Sequence, residues 1–454
     1  MALISSIGLP PLPPLPPLPP PPAEYAILSA SPSSSSLIPD LPALHKRWSR
    51  PADYDDDFDD SFNYDRYNFK GGGINSQRDL NSLDSSEDEG KEERARHEVS
   101  HLHLRVETQA GEAIPEMIFD IKHWILTKLE LKYKAGVLVV KNRGEPEVVV
   151  LESMPFVSRW ACHLLYHGVF KSRRLRNSIG VEELFRKWSE REGRKYDSTK
   201  DVLHRILSYI HAYHIQTHEL LKKDLSSYKT LNEFFYRRLE SNARPIADPR
   251  NPFVISSAAD CRLTVFRSVG SAEKLWIKGR GFKLRQLLGS KEFASHFENG
   301  SVAIFRLAPS DYHRYHSPLD AVVGVTKHLE GAYYTVNSLI VQDERFNPLG
   351  ENKRDVTLLY HTRADGSMVS IAFVQVGALL VSSIRQTVAE GAEVKRGDEL
   401  GYFAYGGSTI VCVFPEGSVK WDEDLLNNSE GKNILRQPIE TMVKAGERIG
   451  KLRK

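Results

Sequence analysis

Cysteine is nearly absent: Cys162, Cys261 and Cys412 are the only three in 454 residues. An odd number without metal-ligand spacing excludes a disulfide framework and points to a reduced compartment. No apolar run reaches the roughly 18 residues that a spanning helix requires. Neither Lys nor Arg precedes Lys46, so the first residues read neither as a basic presequence nor as the charged start of a secretory signal. A strong charge of one sign is also missing, with 61 basic against 59 acidic residues, and nucleic acid is not expected as a partner.

What is present is unevenly spread. Residues 10–22 are proline-rich, 33–36 are all serine and 53–60 are almost wholly acidic. Such a stretch buries too little apolar surface to offset its ordering entropy, so residues 1–100 read as a disordered arm. The arm holds 9 Lys+Arg and 17 Asp+Glu, which leaves +10 for the remainder. A moderately basic folded part suits an anionic phospholipid surface.

From about 114 to 240 the pattern is helical. Ile118, Ile121, Ile125, Leu129 and Tyr133 recur at helical spacing. A second apolar stretch, 156–170, runs into Lys171-Ser172-Arg173-Arg174-Leu175-Arg176. It suits a helix in a lipid interface, with Trp160 and Tyr166 at headgroup level, and equally a helix packed on the core with a solvated basic end. His204, His211, His214 and His218 fall on roughly one helical face. With no carboxylate or Cys placed to complete a ligand set, solvent-facing histidines are favoured and no metal is expected. Residues 101–245 are thus expected to form a helical, membrane-associating region.

After Pro245 the texture changes to short β-rich runs, among them 262–266, 302–307, 356–360, 371–376 and 409–414. Residues 391–401 read as strand, turn, strand, matching the hairpin of lipoyl-type barrels. The expected fold is α+β: an antiparallel β-rich core over 246–454 with a lipoyl-like hairpin, preceded by the helical region.

Directly after that hairpin comes Tyr405-Gly406-Gly407-Ser408-Thr409. Gly-Gly followed by Ser suits an ordinary tight turn. It also suits self-attack, because glycines permit backbone conformations that bring Ser Oγ onto the preceding carbonyl carbon. An N→O acyl shift, loss of the Ser408 α-proton with departure of the Gly407 carboxylate, and hydrolysis with loss of ammonia would leave a pyruvoyl group at position 408. That chemistry needs a base, normally a histidine oriented by a carboxylate. Asp311-Tyr312-His313-Arg314-Tyr315-His316 places two imidazoles three residues apart, and Asp260 sits among small residues just ahead of a strand. Taken singly, Asp260 better suits a cap or turn, and the histidines better suit solvent.

Together these segments resemble the phosphatidylserine decarboxylases. Thr230-Leu231-Asn232-Glu233-Phe234-Phe235, Ala243-Arg244-Pro245, Trp276-Ile277-Lys278-Gly279 and Tyr334-Thr335-Val336-Asn337 agree with the same family, over roughly 150 to 450 and closest to its eukaryotic, non-mitochondrial branch. The resemblance implies that Asp260 orients His316 and His316 activates Ser408, with cleavage between Gly407 and Ser408. It also implies that His313 serves decarboxylation, that the cofactor is the pyruvoyl group from Ser408, and that the two cleaved chains stay together. Phosphatidylserine would be the substrate, a phospholipid membrane the surface, and the cytosolic face of endomembranes the place. Two further expectations are a pyruvoyl enzyme acting on a free amino acid, and a non-enzymatic β-rich binding module recruited through its proline-rich arm.

Overall fold

The computed structural model describes residues 136–143, 148–153, 187, 191, 193–277, 282–332, 334, 336, 341, 347–377, 384–405, 408–433 and 435–453. The arm, the 118–133 helix, the 156–176 segment, Cys162, Gly406 and Gly407 lie outside them.

Sixteen strands and seven short α-helices make up the described part. In chain order they begin with β1 (Gly136–Asn142), β2 (Val148–Ser153), α1 (Val202–Tyr213) and α2 (Leu231–Phe235). Then come β3 (Val254–Ser256), β4 (Cys261–Phe266), α3 (Val269–Leu275), α4 (Leu284–Leu288) and α5 (Lys291–Ser295). The middle holds β5 (Ser301–Leu307), β6 (Arg314–His316), β7 (Ala321–Leu329), α6 (Pro348–Glu351), β8 (Arg354–Thr362) and β9 (Met368–Gly377). The last part holds β10 (Ile384–Gln386), β11 (Glu393–Val394), β12 (Glu399–Phe403), β13 (Ser408–Phe414), β14 (Val419–Trp421), α7 (Glu423–Glu430), β15 (Glu440–Val443) and β16 (Arg448–Leu452).

Ten strands form one sheet in the order β11-β7-β8-β9-β13-β5-β4-β15-β1-β2, and two three-stranded sheets, β10-β12-β6 and β14-β16-β3, accompany it. All ladders are antiparallel except β1 with β15. The mixed, sheet-rich architecture is the one expected. β13 is buried along its whole length, as Ile410-Val411-Cys412-Val413-Phe414 demands of a central strand covered on both faces. The main core contains Ile410, Cys412 and Phe373 from the large sheet, Tyr315 and Phe403 from one small sheet, and Trp421 and Ile449 from the other.

Three expectations change. Residues 136–142 and 148–153 fell within the stretch read as helical, but they are paired strands that extend the core sheet beyond β15. Their valine runs favour a pleated, half-buried surface, a preference the periodicity upstream does not carry. The 391–401 segment does form strand, turn, strand, with Gly397 at φ 91° in the turn. Its strands do not pair with each other, however: β11 joins β7 and β12 joins β6 and β10. Finally, α1 ends at Tyr213, with His214 in the left-handed conformation, so His214 and His218 leave the helix. All four histidines of this region are exposed.

Candidate functional site

Ser408 opens β13, opposite Leu307 of β5 and Gly377 of β9. It is fully buried. Residues 308–313 link β5 to β6, and this connection is held from several sides. Asp311 accepts the Ala308 amide at 2.7 Å and pairs with Arg262. Arg237, itself buried, donates to the Ser310 and Asp311 carbonyls at 3.1 Å each. The result is a rigid loop that delivers His313 to the start of β13.

His313 Nδ1 lies 3.2 Å from Ser408 Oγ, and Nε2 lies 3.1 Å from the Ala308 carbonyl. A carbonyl only accepts, so Nε2 carries the proton and Nδ1 offers its lone pair to the serine hydroxyl. Burial, reinforced by Arg237, depresses the imidazole to about 3, so it is neutral at physiological pH. Phe235 stacks on its ring with centroids 3.8 Å apart.

His316, in β6, donates from Nδ1 to the Gly397 carbonyl at 2.9 Å. Its Nε2 is buried and makes no hydrogen bond. Burial lowers its pKa as well, while the Gly397 carbonyl, Glu399 and Asp260 pull it back up. The two histidines therefore differ electrostatically: arginines surround one, and carboxylates support the other.

Asp260 accepts from Arg244 Nε and the Ala445 amide on one oxygen, at 2.7 and 2.9 Å, and from Arg244 Nη2 on the other at 2.6 Å. Arg244 Nη2 also meets Glu219 at 2.9 Å. Burial works against the Arg244 charge, yet Asp260 and Glu219 outweigh it and raise the guanidinium pKa. Of the residues named from sequence, the structure brings His313 to Ser408, and the expected relay is not a continuous hydrogen-bonded chain. His313 touches Ser408, and Asp260 binds Arg244 in place of His316. The physical reason is competition: a forked guanidinium satisfies both carboxylate oxygens better than one imidazole does.

Sequence reading gave Arg237, Asp311, Asn232, Phe235 and Arg244 no role of their own. The Thr230-x-x-Glu233 pattern was a usable signal for part of this. Thr230 Oγ1 accepts the Glu233 amide at 3.0 Å and Glu233 accepts the Lys229 amide at 2.6 Å, which fixes the start of α2 and the face it turns to the site. Among the described residues no group of three or more His, Cys, Asp or Glu is placed to hold a metal ion.

The family model for phosphatidylserine decarboxylase matches residues 231–451, a span that contains Asp260, His313, His316 and Ser408. A phosphatidylserine decarboxylase proenzyme 2 from Komagataella phaffii is 42% identical over 305 residues, which cover 66% of this chain and 28% of the relative. A proenzyme 2 from Oryza sativa is 40% identical over 272 residues, 60% of this chain and 42% of the relative. The proenzyme of Fusobacterium nucleatum is 33% identical over 290 residues, 64% of this chain and 90% of the relative. The chain thus spans under half the length of these fungal and plant relatives but nearly all of the bacterial one. On that coverage, and with a buried serine meeting an imidazole at the head of a central strand, the chain belongs to the phosphatidylserine decarboxylase family.

Proposed function

We propose that this chain is a self-processing, pyruvoyl-dependent decarboxylase that converts phosphatidylserine to phosphatidylethanolamine and carbon dioxide. The observation that carries this is the fully buried Ser408 hydroxyl on a neutral His313, one residue after Gly407. Ser408 Oγ attacks the Gly407 carbonyl carbon, the peptide nitrogen is released as an amine, and an ester joins the two segments. Removal of the Ser408 α-proton then expels the Gly407 carboxylate and leaves dehydroalanine, which loses ammonia on hydrolysis.

The surroundings fit a pyruvoyl group at 408. His316 Nε2 is a buried polar atom without a hydrogen bond, available to a group that forms there. When formed, the pyruvoyl ketone supplies the electron sink for loss of the substrate carboxylate. The chain's own residues do the rest. His313 orients the Ser408 hydroxyl by accepting its proton in a hydrogen bond. His316, whose pKa burial lowers and whose buried Nε2 makes no hydrogen bond, is the base for self-cleavage, and Asp260, anchored on Arg244, partly offsets that lowering. His313 then serves decarboxylation.

Retention of both products follows from the strand order. Residues 408–454 supply β13 between β9 and β5, and β15 between β4 and β1, so the shorter product is woven into the sheet. The β-rich core over 246–454, extended by β1, β2 and α2, carries the chemistry, the remainder of residues 101–245 contacts the membrane, and 1–100 form the arm. A peripheral site on the cytosolic face of endomembranes suits the basic balance of residues 101–454. No described helix is long and apolar enough to cross a membrane.

Intact mass spectrometry of the expressed chain tests this reading. Two products split at 407/408, with residue 408 blocked to N-terminal sequencing, are expected, together with carbon dioxide release from phosphatidylserine in liposomes. A single intact chain would overturn the reading, and activity on free serine alone would replace the substrate.

A further inference from the structure

The β12 ladder ends at Phe403, two residues short of Tyr405. From there the chain is held by side chains. The Tyr405 amide donates to Asn232 Oδ1 at 2.9 Å, and Asn232 Nδ2 donates to Asp197 at 2.8 Å. Asn232 is buried, and both ends of its amide are committed: a backbone N–H can only donate and a carboxylate can only accept. Tyr196 stacks on the Tyr405 ring, and Phe235 meets that ring edge-on at 5.1 Å. Asn232 and Phe235 stand three apart in α2 and so share a face. One short helix therefore holds the strand end ahead of the cleavage turn with its amide and backs the His313 ring with its phenyl group.

Resting on the self-processing reading above, we propose that Asn232 is a positioning residue for cleavage, which with Tyr196 clamps Tyr405 and so delivers the segment leading to Gly407 against Ser408. Rigid placement matters here because both reacting groups belong to one chain. The strand on the Ser408 side is fixed by two ladders, whereas the other side has this clamp.

The test is the cleavage time course of the full chain made by cell-free translation, read as loss of intact protein by mass spectrometry. Asn232→Ala is expected to slow cleavage about tenfold or more, on the scale at which a misplacement of about 1 Å acts. Asn232→Asp is also expected to be slow, because it sets a second carboxylate against Asp197. Adding Asp197→Asn is expected to restore the rate, since the side-chain bond is rebuilt in reverse and Tyr405 regains its acceptor. Loss of packing alone would not be rescued by such an exchange. Cleavage of Asn232→Ala at the parental rate overturns the proposal, as does an exchanged pair that melts like the parent yet stays slow. Should Asn232→Ala fail to fold, Tyr196→Ala decides: slower cleavage supports the clamp, and an unchanged rate overturns it. A parent chain that never cleaves overturns the self-processing reading instead.

Discussion

The chain changes character across residues 404–408. Ahead of the junction, β12 belongs to a three-stranded sheet, and its continuation is held by one amide and two aromatic rings. Behind it, β13 lies at the centre of the ten-stranded sheet, buried at every position and hydrogen-bonded on both edges. The proposed scissile bond therefore connects strands of two different sheets that share one core. A bond at such a crossing can be cut without breaking either ladder, which explains how a fold can survive losing a peptide link beside its own core.

Ser408→Ala breaks the comparison most completely. It removes the attacking oxygen and leaves both sheets intact, so no cleavage is expected at any time in intact-mass measurements, with a melting temperature at or above that of the uncleaved parent. Next are the two imidazoles. His316→Ala is expected to slow cleavage by about 10²–10⁴-fold, the usual contribution of a general base. His313→Ala should instead leave cleavage the faster of the two and depress carbon dioxide release; a larger loss of cleavage in His313→Ala than in His316→Ala would assign the base to His313.

Stability separates the two sides further. Ile410→Ala, in the fully buried β13, should cost about 2–5 kcal/mol in denaturant unfolding, as large-to-small core changes do. Tyr196→Ala, at a half-exposed ring on the other side, should shift the unfolding midpoint far less while still slowing cleavage.

The smallest expected effect is on pH. Between the ordinary histidine value of about 6.5 and the His313 value of about 3, the unfolded chain binds a proton that folded His313 refuses. The free energy of unfolding should therefore fall as pH drops through that window and stay level above it. His313→Gln should flatten this slope in urea titrations at pH 7 and pH 5.

Much of the site was legible because its chemistry needs particular residue types in a particular order. Ser after Gly-Gly, two histidines three apart and an Asp before a strand are local facts, and Ile410-Val411-Cys412-Val413 reads as a buried strand anywhere. What escaped was partnership. Arg244 lies 16 residues from Asp260, and nothing in either segment announces that the guanidinium takes the carboxylate that His316 was expected to share. The valine runs of β1 and β2 were local too, but the helical period upstream of them outweighed their β-branched composition in the reading.

By itself the sequence determined the candidate residue types for the site, the β-rich texture of the C-terminal half and the bond at which self-cleavage is proposed. Only the tertiary structure decided that β11 and β12 enter different sheets, that His313 reaches Ser408 first, and that Asn232 holds the strand ahead of the cut. The reason is that period and composition specify which face a strand buries. Choosing the neighbour at its edge depends on competition among hydrogen-bonding groups far apart in the chain.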